Sequence, residues 1–265
     1  MKHRISRSIP VFTGLPEKPQ SIMHNVFSST ERKAITVPVW RDLVEILDFK
    51  FTPEYGDLLT VPGKPAWTAT LGNGITYSMP LWRTPVPAGA LKAAPQWVKG
   101  DAEKWMLKFD GKYNSINFNI DTLPNGVFTL EFDIKPDKVD NVMLFSQTFH
   151  RGASLQLWIS DGKLQSAFIH MGRSLSDETK LIPLNLAVEK GKWQKIKVTF
   201  DYKQLVYSVD GRSETVPFTL RPAKALAGIF GMCRPGDVLL DKKLRLKPFE
   251  GLLRQFTVIR GMDKQ

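Results

Sequence analysis

The segment "GVFTLEFDIKP" (126 to 136) sets Phe128, Leu130, Phe132 and Ile134 against Thr129, Glu131, Asp133 and Lys135. This period of two predicts a β-strand with one buried face, ended by Pro136. The same rhythm predicts strands at "NVMLFSQTF" (141 to 149), "ASLQLWIS" (153 to 160), "KLQSAFIH" (163 to 170), "WQKIKVTF" (193 to 200) and "QLVYSVD" (204 to 210). Three more fall at "ALAGIFGM" (225 to 232), "KLRLKP" (243 to 248) and "LLRQFTVIR" (252 to 260). Asp161-Gly162 and Asp210-Gly211 mark tight turns between them. Earlier, "LVEILDFKF" (43 to 51) reads as a first strand, and Asn73-Gly74 as a hairpin centre in a long Pro- and Gly-punctuated stretch, 53 to 103. In "KWMLKFDGKYNSINFNI" (104 to 120), Trp105, Leu107 and Phe109 share one parity and face a core, and Asp110-Gly111 reads as a tight strand-to-strand turn. Many short strands without a long helical pattern predict an all-β fold, an antiparallel β-sandwich or jelly roll.

Residues 1 to 40 lack this periodicity. They carry more basic than acidic side chains and four prolines, Pro10, Pro16, Pro19 and Pro38, and read as a basic arm or linker, with a short helix at "SSTERKAI" capped by Ser29 or Thr30. A chain of 265 residues with 42% hydrophobic and 24% charged residues can bury one large core after that arm. Cys233 is the only cysteine, so packing and not an intramolecular disulfide must hold the fold. The basic start is broken at Pro10, Gly14 and Pro16 before an apolar stretch reaches signal-peptide length, and no apolar run approaches the roughly 18 residues that would span a bilayer, so membrane insertion is not expected. The net charge of +11 favours polyanionic partners. Nucleic acid is the less favoured of these, because zinc-ligand spacings, a phosphate-cradling Gly loop and an aromatic RNA-binding signature are all missing.

The succession "LKFDG" (107 to 111), "FTLEFDIKP" (128 to 136), "LFS" (144 to 146), "GKWQKIKVTFD" (191 to 201), "YSVDGR" (207 to 212) and "FEGLLRQFTVIR" (249 to 260) resembles the laminin G-like domains of the concanavalin A-like lectin and glucanase superfamily. The resemblance covers residues 41 to 262 and implies a two-sheet, concanavalin A-like jelly roll that binds carbohydrates or other macromolecules outside the cell. In some members it also implies a calcium ion at the sandwich rim. Where the family commonly writes an acidic pair in the closing strand, this chain has Leu253, Arg254 and Gln255, and an Arg repels the cation. Asp110 is the candidate calcium ligand that remains, and no cofactor is expected.

Glu131 and Asp133 share one strand face, their Cβ atoms about 6 to 7 Å apart. They match the first two acids of the E-x-D-x-x-E motif of laminarinase-type glucanases, but Pro136 occupies the third position and removes one of two required carboxylates. "QTFH" (147 to 150) has one residue too many for the Gln-x-His strand of jelly-roll lyases, which turns Gln147 and His150 to opposite faces. His150-Arg151 and His170 with Arg173 fall in loops or at strand ends, and Cys233 beside Arg234 has no positioned base. Binding therefore outranks chemistry. Gln156 and Trp158 point away from Leu155, Leu157 and Ile159, and either offer a sugar a stacking face or pack beneath a loop. Trp193, opening its strand, reads as core. Lys195 and Lys197, and Lys243, Arg245 and Lys247, give two strands basic outer faces, which would form a cationic stripe for acidic polysaccharide if the strands were neighbours, or else a solvated surface. The sequence thus predicts a noncatalytic carbohydrate-binding or adhesive module with Gln156, Trp158, His170, Arg173, Lys195 and Lys197 as ligand-binding residues. A glycan-cleaving enzyme and a module that docks a protein partner are the alternatives.

Overall fold

The computed structural model describes residues 44–64, 67–72, 94–100, 104–112, 114–118, 127–147, 153–170, 179–201, 203–218, 228–232 and 246–261, with side chains at 153–154, 168–170 and 179–180 left aside. All of them belong to the compact unit Trp40–Gln265. The expected helix at 28 to 35, the Asn73-Gly74 hairpin, His150, Arg151, Arg173, Cys233, Lys243 and Arg245 lie outside the described residues.

The strands are, in chain order, β1 (Glu45–Asp48), β2 (Leu58–Thr60), β3 (Thr68–Leu71), β4 (Gln96–Lys99), β5 (Trp105–Asp110) and β6 (Ile116–Phe118). There follow β7 (Phe128–Pro136), β8 (Val142–Gln147), β9 (Ala153–Ser160), β10 (Lys163–His170) and β11 (Thr179–Ala187). The last are β12 (Gln194–Phe200), β13 (Gln204–Val209), β14 (Arg212–Pro217), β15 (Gly228–Phe230) and β16 (Glu250–Arg260). They form two eight-stranded sheets. The first runs β14-β13-β12-β7-β16-β5-β4, with β1 also pairing to β16, and the second runs β11-β10-β9-β8-β15-β6-β3-β2. Neighbouring strands pair antiparallel, which makes the fold the expected antiparallel β-sandwich.

The alternating apolar positions do what their parity requires. Phe128, Leu130, Phe132 and Ile134 of β7, Ile196, Val198 and Phe200 of β12, and Leu155, Leu157 and Ile159 of β9 are buried in one cluster drawn from both sheets. Its centre is aromatic. Phe118 of the second sheet stacks on Phe256 of the first at 3.9 Å between ring centroids, and Phe49, Phe132 and Phe230 close around Phe256 at 5.4 to 6.4 Å from one ring to the next. Such offset and edge-to-face pairs add to the area they bury.

Asp161-Gly162 and Asp210-Gly211 join β9 to β10 and β13 to β14 with positive φ at both central residues (50° and 65°, 50° and 81°), as a two-residue turn matched to strand twist demands. Asp110-Gly111 differs from expectation. β5 belongs to the first sheet and β6 to the second, so this bend carries the chain across the sandwich and does not close a hairpin. Asp110 stabilises it by accepting from the Lys112 amide at 2.9 Å, and Asn114 Oδ1 accepts from the Asp110 amide at 2.7 Å. At the other end the sheet edges β11 and β14 meet, where Glu214 Oε1 accepts from the Asn185 amide at 2.8 Å.

Candidate functional site

The residues singled out from sequence do not gather in one place. Gln156 and Trp158 sit on the second sheet, on the face opposite the core cluster as their parity predicts, but they present almost nothing to solvent, at 1% and 5% exposure. Trp158 lies between Met143 and Gln165 in the register. Gln156 donates to the Gln147 carbonyl at 3.4 Å, and its Oε1 is buried without a hydrogen-bond partner. His170 ends β10 opposite Ala153. Lys195 and Lys197 lie on the first sheet. The stripe imagined with Lys247 does not form, because Lys247 bridges Val142 at the margin of the second sheet while β12 is in the first.

What the fold builds instead is a polar cluster on the outer face of β12, β7 and β16. Lys195, Asp133 and Gln255 lie in one register row, and Lys197, Glu131, Thr257 and Asp48 in the next. Between Leu253 and Gln255 the β16 register shifts against β7, so Leu253 pairs with Ile134, Gln255 pairs with Asp133, and Arg254 is the extra residue of a bulge. A bulge breaks the alternation of faces. Leu253 and Phe256 stay in the core while Arg254 and Gln255 both point outward. Gly251, just before, has φ of 147°, and a Cβ there would stand 2.4 Å from the Lys135 carbonyl oxygen, so only glycine lets β16 approach β7 this closely.

Arg254 lands on Trp193. Its guanidinium carbon is 4.4 Å from the indole centroid, and Nε donates to Asp133 Oδ2 at 3.2 Å. Trp193 is therefore not core, as its place at the head of a strand suggested. It has the outward parity of Lys195 and Lys197 and is half-buried under the arginine. The loop that carries it is pinned, since Gln194 bridges the Glu189 amide (2.6 Å) and Asp210 Oδ2 (3.1 Å), the Lys195 amide donates to Asp210 Oδ1 (2.8 Å), and the Gly191 amide donates to the Pro136 carbonyl (2.7 Å). Lys195 Nζ donates to Glu131 Oε1 at 2.7 Å and lies 4.0 Å from Asp133 Oδ1. That hydrogen bond first, and the charges of Glu131 and Asp133 after it, hold the Lys195 ammonium above the ordinary lysine range against the opposing effect of burial.

Asp133 is only 9% exposed, whereas Arg254 and Lys195 keep 45% and 48% of their side-chain surface in water. The face thus shows cationic heads and an aromatic ring, with the carboxylates of Glu131 and Asp133 recessed beneath them. Lys195 and Arg254 supply the counter-charges of Glu131 and Asp133.

Asp110 is the residue that the sequence offers as a calcium ligand. Its Oδ1 accepts from the Lys112 amide, and Glu250, its partner on the facing strand, pairs with Lys138. Among the described residues no group of three or more His, Cys, Asp or Glu side chains converges as a metal ligand set, and calcium needs several oxygens. No described helix is long and apolar enough to cross a membrane.

No protein-family model matches this chain. Among solved structures it is similar to domain 4 of AbnA, a GH43 extracellular arabinanase from Geobacillus stearothermophilus, in complex with arabinotriose, with 12% identity, a TM-score of 0.57, and 82% of this chain and 93% of that one covered. It is also similar to the binding domain of botulinum neurotoxin DC in complex with SialylT, at 12% identity and a TM-score of 0.51, covering 82% of this chain and 48% of that one. The chain therefore spans about half the length of the toxin domain. At such identities the likeness establishes the fold alone, a β-sandwich.

Proposed function

We propose that the chain is a noncatalytic carbohydrate-binding module of laminin G-like, concanavalin A-like type, and that it holds its ligand on the outer face of the first sheet. The observation that carries this reading is the convergence of Trp193, Arg254, Lys195, Asp133 and Glu131 on one solvent-facing surface. An indole edged by charged and amide groups is what a saccharide uses, apolar ring face against the aromatic and hydroxyls against the polar rim. The arabinotriose-bound and SialylT-bound sandwiches support it as examples of this fold with a saccharide in place. A cleaving enzyme is disfavoured because Glu131 and Asp133 are both engaged by cations and Pro136 stands where a further acid is required. Lys195 and Lys197 belong to this surface. Gln156 and Trp158 do not, and in this reading they contribute through packing.

A glycan array with and without calcium tests the proposal. The wild-type chain binds at least one saccharide class equally well in both conditions, and Trp193→Ala loses at least tenfold in affinity with an unchanged far-UV spectrum. Product release from the array, or binding that Trp193→Ala leaves intact, refutes it.

A further inference from the structure

The arginine over Trp193 also bears on which saccharides the surface accepts. Resting on the reading above, we infer that Arg254 makes this face selective for saccharides that carry an anionic substituent, and that it does so by covering the stacking ring.

Three observations lead there. The Arg254 guanidinium carbon lies over the indole, 4.4 Å from its centroid, so a sugar ring cannot stack on that side of Trp193 while the guanidinium is in place. The guanidinium is tethered through Nε to Asp133, a nearly buried carboxylate, which sets its orientation. Among the described residues its two Nη groups make no hydrogen bond, and the side chain is half-exposed. An arginine held through Nε and seated over an aromatic ring presents the remaining pair of nitrogens as a preorganised fork, the geometry that binds carboxylate or sulfate through two parallel hydrogen bonds.

The consequence is discrimination by charge. An anionic saccharide binds the fork as it stands, with the Lys195 and Lys197 ammonium groups on the same face. A neutral one must first lift Arg254 from both the ring and Asp133, and gains no charged contact in return. The bulge supports this arrangement, since it places an unpaired residue on this face, where regular alternation would leave Gln255 alone to point outward. Specificity of this kind comes from an obstruction to the wrong ligand as much as from attraction to the right one.

The test uses the whole chain and isothermal titration with three probes: an oligogalacturonate (carboxylate), a dextran sulfate oligomer (sulfate) and a neutral arabino-oligosaccharide. Wild type binds one or both charged probes at least tenfold more tightly than the neutral one. Arg254→Ala loses at least tenfold toward the charged probes and gains several-fold toward the neutral probe, because the ring is uncovered. Arg254→Lys keeps the charge without the planar fork and falls between the two, and it serves as the reporter if the alanine variant misfolds. A wild type that binds the neutral probe as well as the charged ones, with both arginine variants unchanged, overturns the inference and leaves carbohydrate binding standing. If wild type binds no saccharide at all, the functional reading falls and the inference falls with it.

Discussion

Phe256 lies in the aromatic centre, stacking on Phe118 and meeting Phe49, Phe132 and Phe230. Its replacement by alanine leaves a cavity that rings from both sheets line, and is expected to cost about 3 to 5 kcal/mol by chemical denaturation, with the denaturant slope little changed. That Phe256 is buried was legible from its parity. The role of Trp193 was not, although the signal was present: it shares the parity of Lys195 and Lys197, which its position at the start of a strand obscured. Trp158 shows the converse, because parity placed it on the correct face of β9 and could say nothing about how deeply that face is covered.

At the scale of elements, the bulge in β16 is the device on which the outward Arg254 depends. Removing Arg254 altogether restores strict alternation between Leu253 and Phe256, so the deletion is expected to fold, with a melting temperature near wild type and with the charge selectivity gone. Deleting Thr257 instead turns Val258 and the residues after it to the opposite face, and that variant is expected to lose cooperative thermal unfolding. Strands β11 and β14 escaped the sequence reading for a common reason. Pro183 interrupts the first, Pro217 ends the second, and both strands are sheet edges, where a missing amide donor is tolerated.

Across the whole molecule, one hydrogen-bonded chain ties the two sheets together through the core. Tyr207 of β13 donates its hydroxyl to Ser166 Oγ of β10 at 3.0 Å, and Ser166 in turn donates to the Gln156 carbonyl at 3.0 Å. Burial pushes the phenol well above its ordinary value, with the Ser166 bond a smaller opposing effect. A raised folded-state value means that the stability linked to this group is intact below about pH 10, where the unfolded tyrosine also keeps its proton, and is lost as the pH rises further. Denaturant midpoints are therefore expected to fall above pH 10, and the fall should be shallower in Tyr207→Phe. A midpoint that declines identically in both proteins contradicts this assignment.

Strands such as β7, β9, β12 and β13, their inward faces and the two Asp-Gly hairpins between β9 and β10 and between β13 and β14 were determined by the sequence alone, because alternation and turn chemistry act over a few residues. The partners of each strand, the crossing at Asp110-Gly111, the bulge and the meeting of Arg254 with Trp193 and with Asp133, 121 residues away, were decided by the tertiary structure. Such pairings depend on which distant segments close the two sheets around a shared core, a condition set by the packing of the whole chain and not by any one stretch of it.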